Sequence, residues 1–256
     1  MPVTAPASIG PVKAEVVVIA TELLARKGSV DFWRVEVRDL DHALLVSADV
    51  SCGERRSTGI GFEEPGPEFT EGAGTAMELT ELHPRWTGHF EQIMVEGEPF
   101  TVAERPRSVV ALRPRRDVQF GPAILAMICD SPMPRTVLAS TDFSFPSTIS
   151  LSTHVYASDA EIATVGREFV ILTTDSAVIR NNTINQEVRA YRNDGLLLAC
   201  SYQTAVFRCP HRRPDQTRAT PRRAVGRLRR GNEWDRERRH PVRLRSRRCL
   251  STKRTI

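Results

Sequence analysis

From residue 14 the chain falls into short apolar-rich stretches parted by turn residues, one of them alternating apolar and polar positions. AEVVVIATELLA is dominated by β-branched residues, and DFWRVEVRDL sets Val35 and Val37 on one face. ALLVSADVSC and RRSTGIGF follow, parted by Gly53 and Glu54. Short turn-linked runs of this kind predict three or four antiparallel strands. Between residues 63 and 117 the alternation weakens, and Pro, Gly and acidic residues gather in EEPGPEFTEGAG. This reads as a linker crossing the surface, with one short helix and a short strand around residues 109–112. GPAILAMICD is different: Ala, Leu and Met favour helix, Pro122 fits a first turn, and Pro132 and Pro134 stop the helix beyond Asp130. Its apolar residues occupy nearly every position, which predicts burial on most sides. Strand-like runs then return in PSTISLSTHVYA, EFVILTTDS, TINQEVRAY and GLLLACSYQTAVF, the last two joined through the Asp-Gly turn of RNDG. The pattern predicts an α+β fold, a helix laid on an antiparallel sheet.

Charge divides the chain in two. Residues 209–256 carry 17 Lys and Arg against 4 Asp and Glu, whereas the rest holds 19 basic and 27 acidic residues. The net charge of +5 therefore describes neither part. The Arg-rich end has almost no apolar periodicity, so the reading is a disordered tail. Trp234 is its one aromatic residue, which argues against a nucleic-acid stacking platform, and nucleic acid is not an expected partner. Residues 1–11 are rich in Pro and Ala and are expected to fray.

No apolar run approaches the roughly 18 residues needed to span a bilayer. The first residues lack a basic segment followed by an apolar one, and the last residues are not a peroxisomal address, so a cytoplasmic protein is expected. Cys52, Cys129, Cys200, Cys209 and Cys249 are scattered, which fits reduced thiols rather than a disulfide framework or a zinc site. The six histidines show no metal-binding spacing, and there is no G-x-S-x-G elbow, P-loop or G-x-G-x-x-G. Metal hydrolysis, serine-nucleophile hydrolysis and nucleotide binding are disfavoured.

Three pieces in order carry a resemblance: ILAMICD ending in an acid, the strand PSTISLSTHVY, and the hairpin YRNDGLLLACSYQTAVFR with a glutamine three residues after a cysteine. Together they resemble the C-terminal hotdog of the acyl-CoA thioesterase II-like family, whose members join two hotdogs in one chain. ELLARKGSVDFWRVEVRDLDHALLVSADVSC resembles the central strands of the N-terminal hotdog more weakly. The implied architecture is a double hotdog, with a partial first hotdog at residues 12–62 lacking its helix, a linker at 63–117, a second hotdog at 118–208, and the basic tail.

What the resemblance implies chemically is hydrolysis of an acyl thioester, acyl-CoA being the expected substrate, in a lipid-metabolic setting. The family holds an attacking water with an Asp, a hydroxyl and a Gln, which fall on Asp130, Thr148 and Gln203. Asp130 would orient and deprotonate the water. The Gln203 amide would donate to the water or the thioester oxygen. Ser150, two residues along the same strand, is the fallback hydroxyl. Gly121, at the start of the helix, could offer backbone N–H groups to the carbonyl oxygen. No metal or redox cofactor is needed, CoA being part of the substrate. The alternative is a non-catalytic hotdog that binds an acyl chain or serves as a scaffold. With one hotdog incomplete, homodimerisation is expected to cover open sheet.

Overall fold

The computed structural model describes residues 2–8 (backbone only), 16–56, 59–80, 83–140 and 146–208; the expected tail lies outside these residues. The strands are β1 Pro2–Ser8, β2 Val18–Lys27, β3 Val30–Arg38, β4 Leu44–Gly53, β5 Thr75–Ala76, β6 Phe90–Glu96 and β7 Ser108–Pro114. After the helix α1 Pro122–Cys129 come β8 Ser147–Val155, the short helix α2 Asp159–Ala163, β9 Val170–Asp175, β10 Ile179–Arg180, β11 Thr183–Tyr191 and β12 Leu197–Val206. They form one antiparallel sheet in the order β2-β3-β4-β1-β8-β12-β11-β9-β7-β6-β5, with β10 on β11. The helix α1 packs on β8, β12 and β11. This is the α+β plan of sheet wrapped on helix, and residues 16–56 contain no helix.

Four readings of the sequence need correction. The linker at 63–117 contains β6 and β7, and β7 pairs with β9 inside the second sheet segment, so that segment begins well before residue 118. RRSTGIGF forms no strand among its described residues, and Ile60 and Phe62 are exposed. Pro2–Ser8 is not frayed: it is the strand that joins the halves, pairing with β4 on one side and β8 on the other. Its proline Pro6 falls where the register slips, a place in a ladder that tolerates a missing N–H. Finally, α1 is buried on one side only. Leu125 and Ile128 are fully buried, while Met127 is 47% exposed.

The core lies between α1 and the concave face of the sheet, where Leu112, Leu172, Val188 and Leu198 meet Leu125 and Ile128. Each such side chain contributes about 1.5–3 kcal/mol of burial. A smaller apolar cluster on the opposite face unites Val109, Ile171 and Tyr191 with Phe69 from the preceding loop. Phe69 stacks edge-on against Phe169 at 5.6 Å. Phe69 thus covers this face of the sheet from the segment before β5.

Gly97 ends β6 with φ of 85°, and a Cβ there would collide with the carbonyl oxygen of Arg107. Gly97→Ala is expected to cost about 1–3 kcal/mol. Chemical denaturation would show it as a lower midpoint, and an unchanged midpoint would contradict this geometry.

Candidate functional site

The end of α1 is fixed by hydrogen bonds that use up its terminal carbonyls. The Ile128 carbonyl accepts from both the backbone N–H and the hydroxyl of Ser131, at 3.0 and 2.6 Å. Ser201 of β12 donates to the Cys129 carbonyl at 3.2 Å, and Gln186 of β11 donates to that of Pro132 at 3.4 Å. Arg135, itself fully buried, donates to the Met133 carbonyl and to Ser108 Oγ of β7. Asp130 sits at the helix C-cap, in a turn anchored to three strands.

Gln203 of β12 reaches across to this turn. Its Nε2 donates to Asp130 Oδ1 at 2.9 Å and to Thr148 Oγ1 at 2.8 Å. Three of the residues picked out in the sequence are therefore in direct contact. Because the amide nitrogen donates both bonds, the Thr148 oxygen acts as an acceptor there and its own hydrogen is free to point elsewhere.

The route by which Thr148 reaches this face is a β-bulge. Along β8 and β12 the register runs Gln203 with Leu151, Thr204 with Ser150, then Ala205 with Thr148. Ile149 is the extra residue, and it reverses the in–out alternation. Thr148 shares the inner face with Ala205 and Gln203, whereas Ser150 lies beside Thr204 on the outside and is exposed. Ser150 is thus not interchangeable with Thr148, contrary to the count of two. Gly121 is misplaced for a different reason. It caps the N-terminal end of α1 while Asp130 caps the other end. At 1.5 Å per residue the two are about 13 Å apart.

Asp130, Thr148 and Gln203 line a cavity of about 270 Å³. Much of the remaining wall is apolar or proline, including Met77, Trp86, Pro134 and Val137. Asp130 is solvent-accessible as a residue, yet protein atoms crowd its carboxyl. Burial raises its pKa to about 6, with the Gln203 hydrogen bond opposing the shift. The direction is consistent with an acid at the negative end of a helix. Cys129, next to it, is a poor nucleophile because burial pushes its thiol up to about 12. No cluster of metal-ligating side chains occurs among the described residues.

One lining residue was not expected. Gln92 of β6 points to the inner side with Phe90 and Met94; it is 7% exposed and its Nε2 has no hydrogen-bond partner among the described residues. Leaving such a donor buried and unpaired costs about 1–3 kcal/mol. The signal was available in FEQIMVE, where Phe90, Gln92 and Met94 alternate, but a polar residue at an inward position hides the pattern.

The model of the acyl-CoA thioesterase C-terminal domain matches residues 63–207. A solved hot dog-fold protein of unknown function from Alicyclobacillus acidocaldarius aligns at 17% identity with a TM-score of 0.76, covering 82% of this chain and 80% of its own. An acyl-CoA thioesterase II from Mycobacterium marinum aligns at 16% identity with a TM-score of 0.62, covering 81% and 80%. At these identities the solved structures speak for the hotdog fold alone. No curated protein matches the sequence. The family match starts at the loop before β5, takes in β6 and β7, and ends at the last strand; it spans more than half of the 256 residues, and the chain belongs to the acyl-CoA thioesterase C-terminal domain family.

Proposed function

We propose that the protein hydrolyses an acyl thioester of the acyl-CoA class by direct attack of water. The observation that carries this reading is the single amide of Gln203 bridging the Asp130 carboxylate and the Thr148 hydroxyl at the wall of a largely apolar cavity. A carboxylate with one oxygen engaged by Gln203 keeps its second oxygen to accept a hydrogen from water. The Thr148 hydroxyl can donate to the same water's oxygen. Asp130 takes the proton as the water oxygen bonds to the thioester carbon; the C–S bond then breaks, and the thiolate leaves with a proton. A pKa near 6 leaves the carboxylate ionised at neutral pH while making it a stronger base than an ordinary aspartate. This chemistry calls for no metal or redox cofactor.

The cavity, about 270 Å³, is close to the lower bound of ligand pockets, roughly 300 Å³. It suits the acyl thioester end of the substrate, with the bulk of CoA outside.

A panel of acyl-CoAs with a thiol-trapping dye tests the reading. The expected result is turnover whose kcat/KM falls about tenfold per pH unit below about pH 6, as Asp130 protonates. Gln203→Ala should lower kcat/KM about 100-fold by freeing both partners it aligns. No turnover of any acyl-CoA would reject hydrolysis. Tight binding of a non-hydrolysable acyl-CoA analogue in that case would identify an acyl-binding protein instead.

A further inference from the structure

The water-holding group accounts for the nucleophile and leaves the carbonyl oxygen without a donor. As that oxygen gains negative charge in the transition state, an aligned N–H in a water-poor pocket is what lowers the barrier. Gly121, the residue expected to serve there, caps the far end of α1.

Gln92 has the required properties. It lines the same cavity as Asp130, Thr148 and Gln203. Its side chain is more than nine-tenths buried, and its Nε2 donates to nothing among the described residues. Three buried side-chain atoms are unpartnered in this way, and the other two, on Thr136 and Thr174, do not line this cavity. The backbone beneath it is fixed on both sides. Gln92 pairs with Leu112 in β7, and its carbonyl accepts from the Met77 N–H at 2.9 Å. The flanking inward residues, Phe90 and Met94, belong to the apolar core, so packing alone would favour a hydrocarbon side chain at this position.

We propose that Gln92 is a further catalytic residue, whose amide N–H donates to the carbonyl oxygen of the bound acyl thioester and stabilises the oxyanion formed on water attack. The inference rests on the hydrolytic reading above. In the step itself, the water oxygen bonds to the carbonyl carbon and its proton passes to Asp130. The C=O π pair moves onto the oxygen held by Gln92. That pair re-forms the double bond as the C–S bond breaks, and the leaving sulfur takes the proton back from Asp130, giving carboxylic acid and thiol.

The test uses the full chain with Gln92→Met and Gln92→Leu, which keep the bulk and remove the donor. Both are expected to fold, with a thermal midpoint equal to or above that of the unsubstituted protein, because an unpaired buried donor is gone. Their kcat should fall about 100-fold or more, with little change in KM and with the acid limb of the pH profile unmoved. Gln92→Asn serves as a second probe, since a shortened amide keeps the donor but withdraws it; it should lie between the two. Unchanged kcat in a folded Gln92→Met protein, alongside an inactive Asp130→Asn, would overturn the role of Gln92 and leave hydrolysis standing. Absence of turnover in the unsubstituted protein would overturn both.

Discussion

Asp130→Asn is expected to lose about 10²–10⁴-fold in kcat/KM and at the same time to melt higher than the unsubstituted protein at pH 8. The two effects share one cause. Burial makes the carboxylate the costly form and lifts the pKa from the ordinary 3.8 to about 6. The folded protein therefore binds this proton more tightly than the unfolded chain does. Between about pH 4 and pH 6, raising the pH removes a proton the fold prefers to keep, so stability falls through that window and stays lower above it. Asparagine carries no such charge, and its side-chain oxygen can still accept from Gln203. The variant's advantage should thus open between pH 4 and pH 6 and be absent below, trimmed by the solvent access of the residue. Thermal melts of both proteins at pH 4 and pH 8 measure it. Parallel melting curves at the two pH values, or full activity in the variant, would contradict a strained general base.

The second large effect belongs to Arg135. Replacing it with Ala should cost about 3 kcal/mol or more, because a fully buried side chain and three of its hydrogen bonds vanish together. Burial lowers its pKa only to about 10, so the guanidinium remains charged at neutral pH, with Asp175 favouring that charge. Its fork joins the Met133 carbonyl to Ser108 Oγ at 2.7 Å, tying the turn after Asp130 to β7. Arg135→Met, which keeps much of the stem and discards the charge, should be milder than Ala. Urea titration reads the difference in midpoints. Equal midpoints for Ala and the unsubstituted protein would show that the turn holds without this clamp.

Much of the fold was readable where one local rule sufficed. The Asp-Gly turn announced the β11–β12 hairpin, and Pro122 with Pro132 bracketed α1 closely. The alternating runs DFWRVEVRDL and PSTISLSTHVYA became β3 and β8, and the apolar run EFVILTTDS became β9. The readings that failed involve partners distant in sequence. β6 was hidden because Gln92 occupies an inward position that a core would give to an apolar residue. Such breaks in pattern tend to occur at sites kept for something other than stability. β1 looked like a frayed Pro-rich end because its order comes from two flanking strands rather than its own composition. At the site, Asp130, Thr148 and Gln203 came from the resemblance, and their contact follows from the packing of α1 against β8 and β12. Counting by two along β8 misassigned Ser150, since a bulge is a property of the pair of strands and not of either sequence alone.

That extra residue has a wider effect. A regular strand carries its orientation rigidly from end to end, so a slip anywhere inverts every side chain beyond it. Ile149 cuts β8 into two segments that keep separate count. The interior half, from Leu151 onward, answers to the hydrocarbon packed against it, and the outer half answers to the groups at the cavity mouth. Because Ile149 is the surplus residue, Leu151 and Thr148 can both face inward although three positions separate them, so one strand feeds both the core and the site.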